Sequence, residues 1–209
     1  MKYTGPKLKL CRREAINLFG TEKYDLSQNH RKLLGSSKMA KLSDFGLQLR
    51  KKQAAKRMYW LTEKQFASYY KKALKMQWVL WENMLRLLEL RLDNVVFKSN
   101  FARTSMQARQ FVNHAHFQVN GQKVNIPSYS IKVWDKIELR EKMKDSPLYK
   151  TLIEEFKEFA SKNKSATISG SKWLEIDSSK LAITVTRLPE KEDFDQTIDI
   201  QKIIEFYSK

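Results

Sequence analysis

One cysteine, Cys11, stands in 209 residues. It excludes an internal disulfide and fits a reducing cytosol. A single thiol excludes a four-cysteine zinc site, and the histidines are too scattered along the chain to complete a tetrahedron with it, so neither a metal nor another cofactor is expected. Long apolar runs are missing too: none reaches the ~18 residues of a membrane span. The opening Met1-Lys2-Tyr3-Thr4-Gly5-Pro6-Lys7 lacks the apolar core of a signal peptide. There is no glycine-rich phosphate loop of the nucleotide-hydrolase type, no defensible Ser/His/Asp ordering, and no internal repeat. Acidic residues are in the minority, with 23 Asp/Glu against 40 Lys/Arg and a net charge of +17.

The excess is uneven. Residues 1–60 hold 15 Lys/Arg against 4 Asp/Glu, residues 61–150 hold 16 against 8, and residues 151–209 hold 9 against 11. All of the surplus therefore lies in the first two-thirds, while the last third has a net of −2 and suits protein neighbours. Solubility alone needs a charge magnitude of only about 2–8 in a small domain. An extended polyanion is the implied partner, nucleic acid before membrane, because the basic residues sit beside caps and turns rather than on one amphipathic helix. With 42% hydrophobic residues, including 11 Phe, 8 Tyr and 5 Trp, the chain can still build a core.

Residues 1–42 show little periodicity and read as a basic arm with a short helix near Arg12 to Phe19. Ser43 is a plausible N-cap for a basic helix reaching Trp60, with Phe45, Leu49 and Met58 on one side. Thr62-Glu63-Lys64-Gln65 is a capping box opening a helix with Phe66, Tyr69, Tyr70, Ala73 and Leu74. A leucine-rich helix over Trp81 to Phe97 follows. Thr104-Ser105-Met106-Gln107 is a second capping box, for a helix ending near His114 with Ala108, Phe111 and Val112 inside. Phe117 and Val119 alternate before Asn120-Gly121, the strongest short hairpin signal, and Val124 and Ile126 come after it. A further alternating run, Ile131, Val133, Ile137 and Leu139, turns at Trp134-Asp135. Ser146-Pro147 starts a helix carrying Leu148, Leu152, Phe156 and Phe159. Strand-like pieces at Trp173 to Ile176 and Leu181 to Val185 precede a closing helix with Ile203, Ile204 and Phe206.

RNA binding needs cations for phosphates, flat groups for stacking, and hydrogen-bonding side chains on a rigid frame. The Ser43 helix offers Arg50, Lys51, Lys52, Lys56 and Arg57, then Tyr59, with no acid between Arg50 and Arg57 to relieve repulsion. Arg103, Gln107, Arg109, Gln110 and His114 are candidates for one outward face of the Thr104 helix, with Lys123 beyond the turn. Backbone N–H groups from Thr104 to Gln107, with Ser105, suit a phosphate. Lys9, Arg12, Arg13, Lys71, Lys72, Arg91, Asn94 and Asn120 complete the candidate set. His114 and His116 lack a carboxylate or thiolate spaced to make them a metal pair.

Taken in order, the motifs resemble the bacterial-type small-subunit ribosomal protein S-four family. Tyr3-Thr4-Gly5-Pro6-Lys7 with Arg12-Arg13-Glu14 resembles its N-terminus, and Leu42-Ser43-Asp44-Phe45-Gly46-Leu47-Gln48-Leu49-Arg50 its central stretch. Leu88-Glu89-Leu90-Arg91-Leu92-Asp93-Asn94-Val95-Val96, Ala108-Arg109-Gln110, Val119-Asn120-Gly121 and Val124-Asn125-Ile126-Pro127-Ser128-Tyr129 resemble its RNA-binding module. Arg187-Leu188-Pro189 and Phe206-Tyr207-Ser208-Lys209 resemble its C-terminal part. The resemblance implies an α+β fold: a basic arm over 1–42, a helical domain over 43–87 completed by 147–209, and an RNA-binding module over 88–146 with two helices and a small antiparallel sheet. It implies a non-enzymatic, cytoplasmic constituent of the small subunit that binds 16S rRNA at a helix junction of the 5′ domain and nucleates assembly. It also implies neighbours, ribosomal protein S-five and mRNA where it enters the subunit, and a part in decoding accuracy. Two departures stand out. Some members hold zinc with four cysteines in the arm, where this chain has Cys11 and Leu8. Leu34-Gly35-Ser36-Ser37-Lys38 replaces a Pro-Gly-Gln-His-Gly-like stretch.

Two rival functions share the module. An RNA-modifying enzyme is suggested by Arg91-Leu92-Asp93, which matches the core of a pseudouridine synthase motif but sits in a leucine-rich helix with no catalytic loop. A free-standing RNA chaperone would not need the arm and helical domain.

Overall fold

A computed structural model of the chain describes residues 3–19, 22–24, 26, 43–151, 154, 171–177 and 180–208. The chain forms two compact units: residues 1–84 with 195–209, and residues 85–194. The class is α+β, as expected from the sequence.

The first unit is helical. Helix α1 spans Lys7–Glu14, earlier than the helix predicted near Arg12 to Phe19. Pro6 stands at its N-cap, where its fixed φ and missing N–H cost nothing, and Ala15 ends it at φ 55°. The chain beyond then buries Leu18 and Phe19 outside any helix. Helix α2 spans Asp44–Met58, and the Ser43 hydroxyl accepts from the Gly46 N–H, as predicted. Helix α3, Glu63–Leu74, opens on the predicted capping box, with Thr62 and Gln65 satisfying each other's backbone N–H groups. Helix α4 spans Leu80–Glu89, so the boundary between the units falls within it. The last helix, α8, spans Ile200–Ser208 and lies along α2.

That pairing moves the buried face of α2. Gln48, Lys52, Ala54 and Ala55 are buried, whereas Phe45 is 53% exposed. Gln48 Nε2 donates to Glu205 at 2.9 Å, and Tyr207 stacks on Tyr70 with centroids 4.8 Å apart. The inner face was set by the partner helix, not by the few large apolar residues of α2.

The second unit joins helices to a sheet. The helix expected over Trp81 to Phe97 is broken at Leu90-Arg91, and α5 begins at Leu92 and ends at Lys98. The loop after the hairpin holds the break open: the Leu92 N–H donates to Tyr129 O, Asp93 N–H to Pro127 O, and Ile131 N–H to Leu90 O. Helix α6 spans Ser105–Asn113. Its cap is half the predicted box: Thr104 accepts from the Gln107 N–H, but Gln107 Oε1 reaches back to the Arg103 N–H.

Strands β1 (Phe117–Val119) and β2 (Gln122–Lys123) form the predicted hairpin, with Asn120 at φ 49° and Gly121 at φ 78°. Strand β3 is Lys136–Leu139, so the predicted run loses its first half, Ile131 and Val133, to a loop and turn. A short helix, α7, follows at Glu141–Lys144. Residues 147–151 are helical, starting at Pro147, while Leu152, Phe156 and Phe159 lie outside the described residues. Strands β4 (Leu174–Asp177) and β5 (Ala182–Val185) appear where expected but join a different unit. They extend the hairpin's sheet, in the order β2-β1-β3-β5-β4, all antiparallel. The expected boundary gave them to the helical domain. Ile137 pairs with Ile183, and Leu174 with Val185, so these strands bury apolar faces that the three-strand sheet would leave open. Phe101, Ala108, Val112, Phe117, Ile137, Leu139, Trp173 and Ile183 share that core.

Candidate RNA interface

The basic run of α2 meets acids from other elements. Glu63, the first residue of α3, accepts from Lys52 Nζ at 2.7 Å and Lys56 Nζ at 3.0 Å. Arg57 Nη1 pairs with Glu14 at 2.6 Å, and Arg50 Nη1 donates to Arg13 O at 2.9 Å. The repulsion that a polyanion was expected to remove is therefore largely relieved inside the unit. Lys52 is buried, with its ammonium 4.1 Å from the Phe206 ring centroid, a cation–π geometry. Burial opposes the Glu63 carboxylate, yet hydrogen bonds from Lys52, Lys56 and Tyr207 outweigh it and hold its pKa at about 2. Among the described residues, Arg50 reaches a backbone carbonyl rather than a carboxylate, and Lys51 makes no ion pair.

In the second unit the Arg-Leu-Asp motif is structural. Arg91 is 2% exposed and grips Asp93 with two hydrogen bonds, Nε to Oδ1 at 3.0 Å and Nη2 to Oδ2 at 2.6 Å. Arg109 Nη1 reaches the same Oδ2 at 3.4 Å, tying α6 to the start of α5. Burial pushes the Asp93 carboxyl up against the pull of Arg91 and Arg109. Asn94 is buried, donating to the backbone and side chain of Glu89, which also takes Lys98 at 2.8 Å. Such groups stay charged or polar in a core only because each has a partner.

Around this frame the predicted residues divide by access. Arg103, Gln110, His114, Asn120 and Lys123 are exposed; Ser105, Gln107 and Arg109 are half-buried. Asn120 is exposed but occupied: Nδ2 donates to Asp135 Oδ1 at 2.8 Å and Oδ1 accepts the Lys136 N–H at 2.9 Å. In the first unit Lys9, Arg13, Lys71 and Lys72 are exposed, Arg12 is half-buried, and Tyr59 is buried. Lys52, Tyr59, Arg91 and Asn94 thus belong to the frame. His116 stacks on Phe111 and bonds the Tyr149 hydroxyl at 2.8 Å through Nδ1; burial, His114 and Arg140 push its pKa down. Burial pushes the Cys11 thiol up, so this free cysteine is a core residue rather than a reactive one.

Sequence reasoning missed Trp78 and Trp134, which are 84% and 74% exposed. Neither falls on a periodic apolar face, and that is the signal that could have set them apart. It also missed Glu14 and Glu63 as partners of the α2 cations, because the pairs Glu14–Arg57 and Glu63–Lys52 join residues that only the fold brings together.

Residues 2–89 match the Ribosomal protein S4/S9 N-terminal domain, and residues 90–137 match the S4 domain. The small ribosomal subunit protein uS4 of Heliobacterium modesticaldum is 43% identical over 216 residues, covering 100% of this chain and 99% of its own length. Those of Caldicellulosiruptor saccharolyticus and Thermotoga petrophila are 44% and 43% identical, with the same coverage of both chains. The second domain match begins at Leu90, where the helix breaks and the buried Arg91–Asp93 pair is set. Two consecutive domains and end-to-end identity leave one assignment: this chain belongs to the uS4 family of small ribosomal subunit proteins.

Proposed function

We propose that this chain is a structural, non-catalytic constituent of the small ribosomal subunit that binds 16S rRNA and helps nucleate assembly at a helix junction of the 5′ domain. The observation that carries the reading is the sorting of its cations. Arg91 and Lys52 are locked into the frame, whereas Lys9, Arg13, Lys71, Lys72, Arg103 and Lys123 stand exposed on it. Within each unit, outward cations on a packed frame neutralise phosphates where RNA helices converge. Family membership over the full length supports the finer parts: contact with ribosomal protein S-five, a place beside incoming mRNA, and an influence on decoding accuracy. No described helix is long and apolar enough to cross a membrane.

Binding of the protein to a 5′-domain junction fragment, measured against salt, tests the reading. The logarithmic slope is expected near −0.9 per phosphate neutralised, borrowing the duplex DNA value. Lys71→Ala, Arg103→Ala and Lys123→Ala are each expected to weaken binding and to lower the slope by about 1 with the fold intact by circular dichroism. Unchanged affinity in all three would overturn the contact map. Washing small subunits at high salt separates a core constituent, which stays, from a loosely bound RNA chaperone, which leaves.

A further inference from the structure

We propose that Trp134 is a stacking platform for an unpaired base of the RNA that this chain binds. The inference rests on the RNA-binding reading above and adds to it a specific aromatic contact. Trp134 lies in the turn before β3 with φ 69°, a left-handed conformation that a bulky residue adopts only under constraint. Trp60 has a similar φ of 51°, but its ring is buried and meets Phe19 at 6.0 Å, so packing offsets the strain. The Trp134 ring is 74% exposed and receives little such packing.

The turn that holds it is built with care. The Trp134 N–H donates to Val185 O at 2.8 Å, and the Asp135 N–H to Lys132 O at 3.2 Å. Asp135 Oδ2 accepts the Lys132 N–H at 2.8 Å, while Oδ1 accepts from Asn120 Nδ2 at 2.8 Å. Asn120 closes the circle on the Lys136 N–H at 2.9 Å. The hairpin turn and the Trp134 turn are thus braced against each other, and the ring is held outward on a rigid mount. Asn120 acts here as a positioning residue.

The ring's surroundings select the occupant. Lys132 and Lys136 stand two residues to either side of Trp134 and are exposed, Lys136 being paired with Glu138 at 2.6 Å, and Val133 beside Trp134 is half-buried. A protein-docking surface would need a contiguous apolar patch, whereas a lone indole between cations suits a base and its phosphates. Every base offers a π-face, so the contact tolerates sequence and adds affinity without neutralising phosphate.

The test compares wild type with Trp134→Gly and Trp134→Phe on the 5′-domain junction fragment and on a short single-stranded oligoadenylate. Glycine accepts the positive φ without strain, so it removes the ring while sparing the turn. Trp134→Gly is expected to bind both RNAs about 10-fold more weakly, with an unchanged salt slope, and Trp134→Phe to keep most of the affinity. Trp134→Gly binding as tightly as wild type would overturn the stack alone. Failure of the wild type to bind the junction would overturn the RNA reading beneath it as well. Normal RNA affinity combined with poor retention of Trp134→Gly in assembled subunits would put a protein on the ring and overturn the proposal.

Discussion

Glu63 in the first unit and Asp93 in the second have the same task in opposite surroundings. Each carboxylate gathers two cations, Lys52 and Lys56 in one case, Arg91 and Arg109 in the other. The Glu63 side chain is 46% exposed and the Asp93 side chain 8%. At half-exposed Glu63 burial is the largest single influence, yet the hydrogen bonds from Lys52, Lys56 and Tyr207 together outweigh it and its pKa falls to about 2. In the core, desolvation dominates, and the Asp93 pair is stable only because its guanidinium is bidentate and close. The half-exposed Glu63 hub therefore loses its carboxylate at smaller cost than the sealed Asp93 hub, even though its partner Lys52 is itself buried.

The largest expected effect is at the sealed hub. Asp93→Asn removes the carboxylate that the Arg91 guanidinium grips at 2% exposure, and urea unfolding is expected to show a loss of about 3–5 kcal/mol. Arg91→Met with Asp93→Leu removes both charges and is expected to recover most of it. A single-variant loss below about 1 kcal/mol would erase the contrast between the hubs. Glu63→Gln comes next, with a neutral-pH cost of at most about 1 kcal/mol after solvent screening. That cost is expected to shrink further in 1 M salt, where screening shortens to about 3 Å, while the Asp93→Asn cost persists.

The smallest effect is in pH. Because folding depresses the Glu63 pKa, its stabilisation is complete above the unfolded value near 4.5 and is lost as pH falls toward about 2. The stability gap between wild type and Glu63→Gln should close over that interval in a series of unfolding titrations. A gap that persists below pH ~2 would mean that Glu63 acts through packing rather than charge.

Local signals survived folding well. Thr62 and Gln65, Ser43, and Asn120-Gly121 act within four residues of themselves, so their chemistry could be read directly. The candidate site was legible by residue type but not by role. Arg91 and Asn94 look like surface polar residues beside a leucine-rich helix, yet the loop 127–131 breaks that helix and the polar residues turn inward. The basic run of α2 looked unrelieved because its acids come from α1 and α3.

By itself the sequence determined an α+β chain, the polyanion partner, the caps and the hairpin, and, through ordered motifs, the family. Those follow from composition and from interactions between near neighbours. Tertiary structure alone decided that β4 and β5 complete the module's sheet, and which cations are spent on Glu14, Glu63 and Asp93. It also set Trp134 outward on a braced turn. Burial, and with it the strength of every charge pair, is a property of what packs nearby, and no stretch of sequence carries it alone.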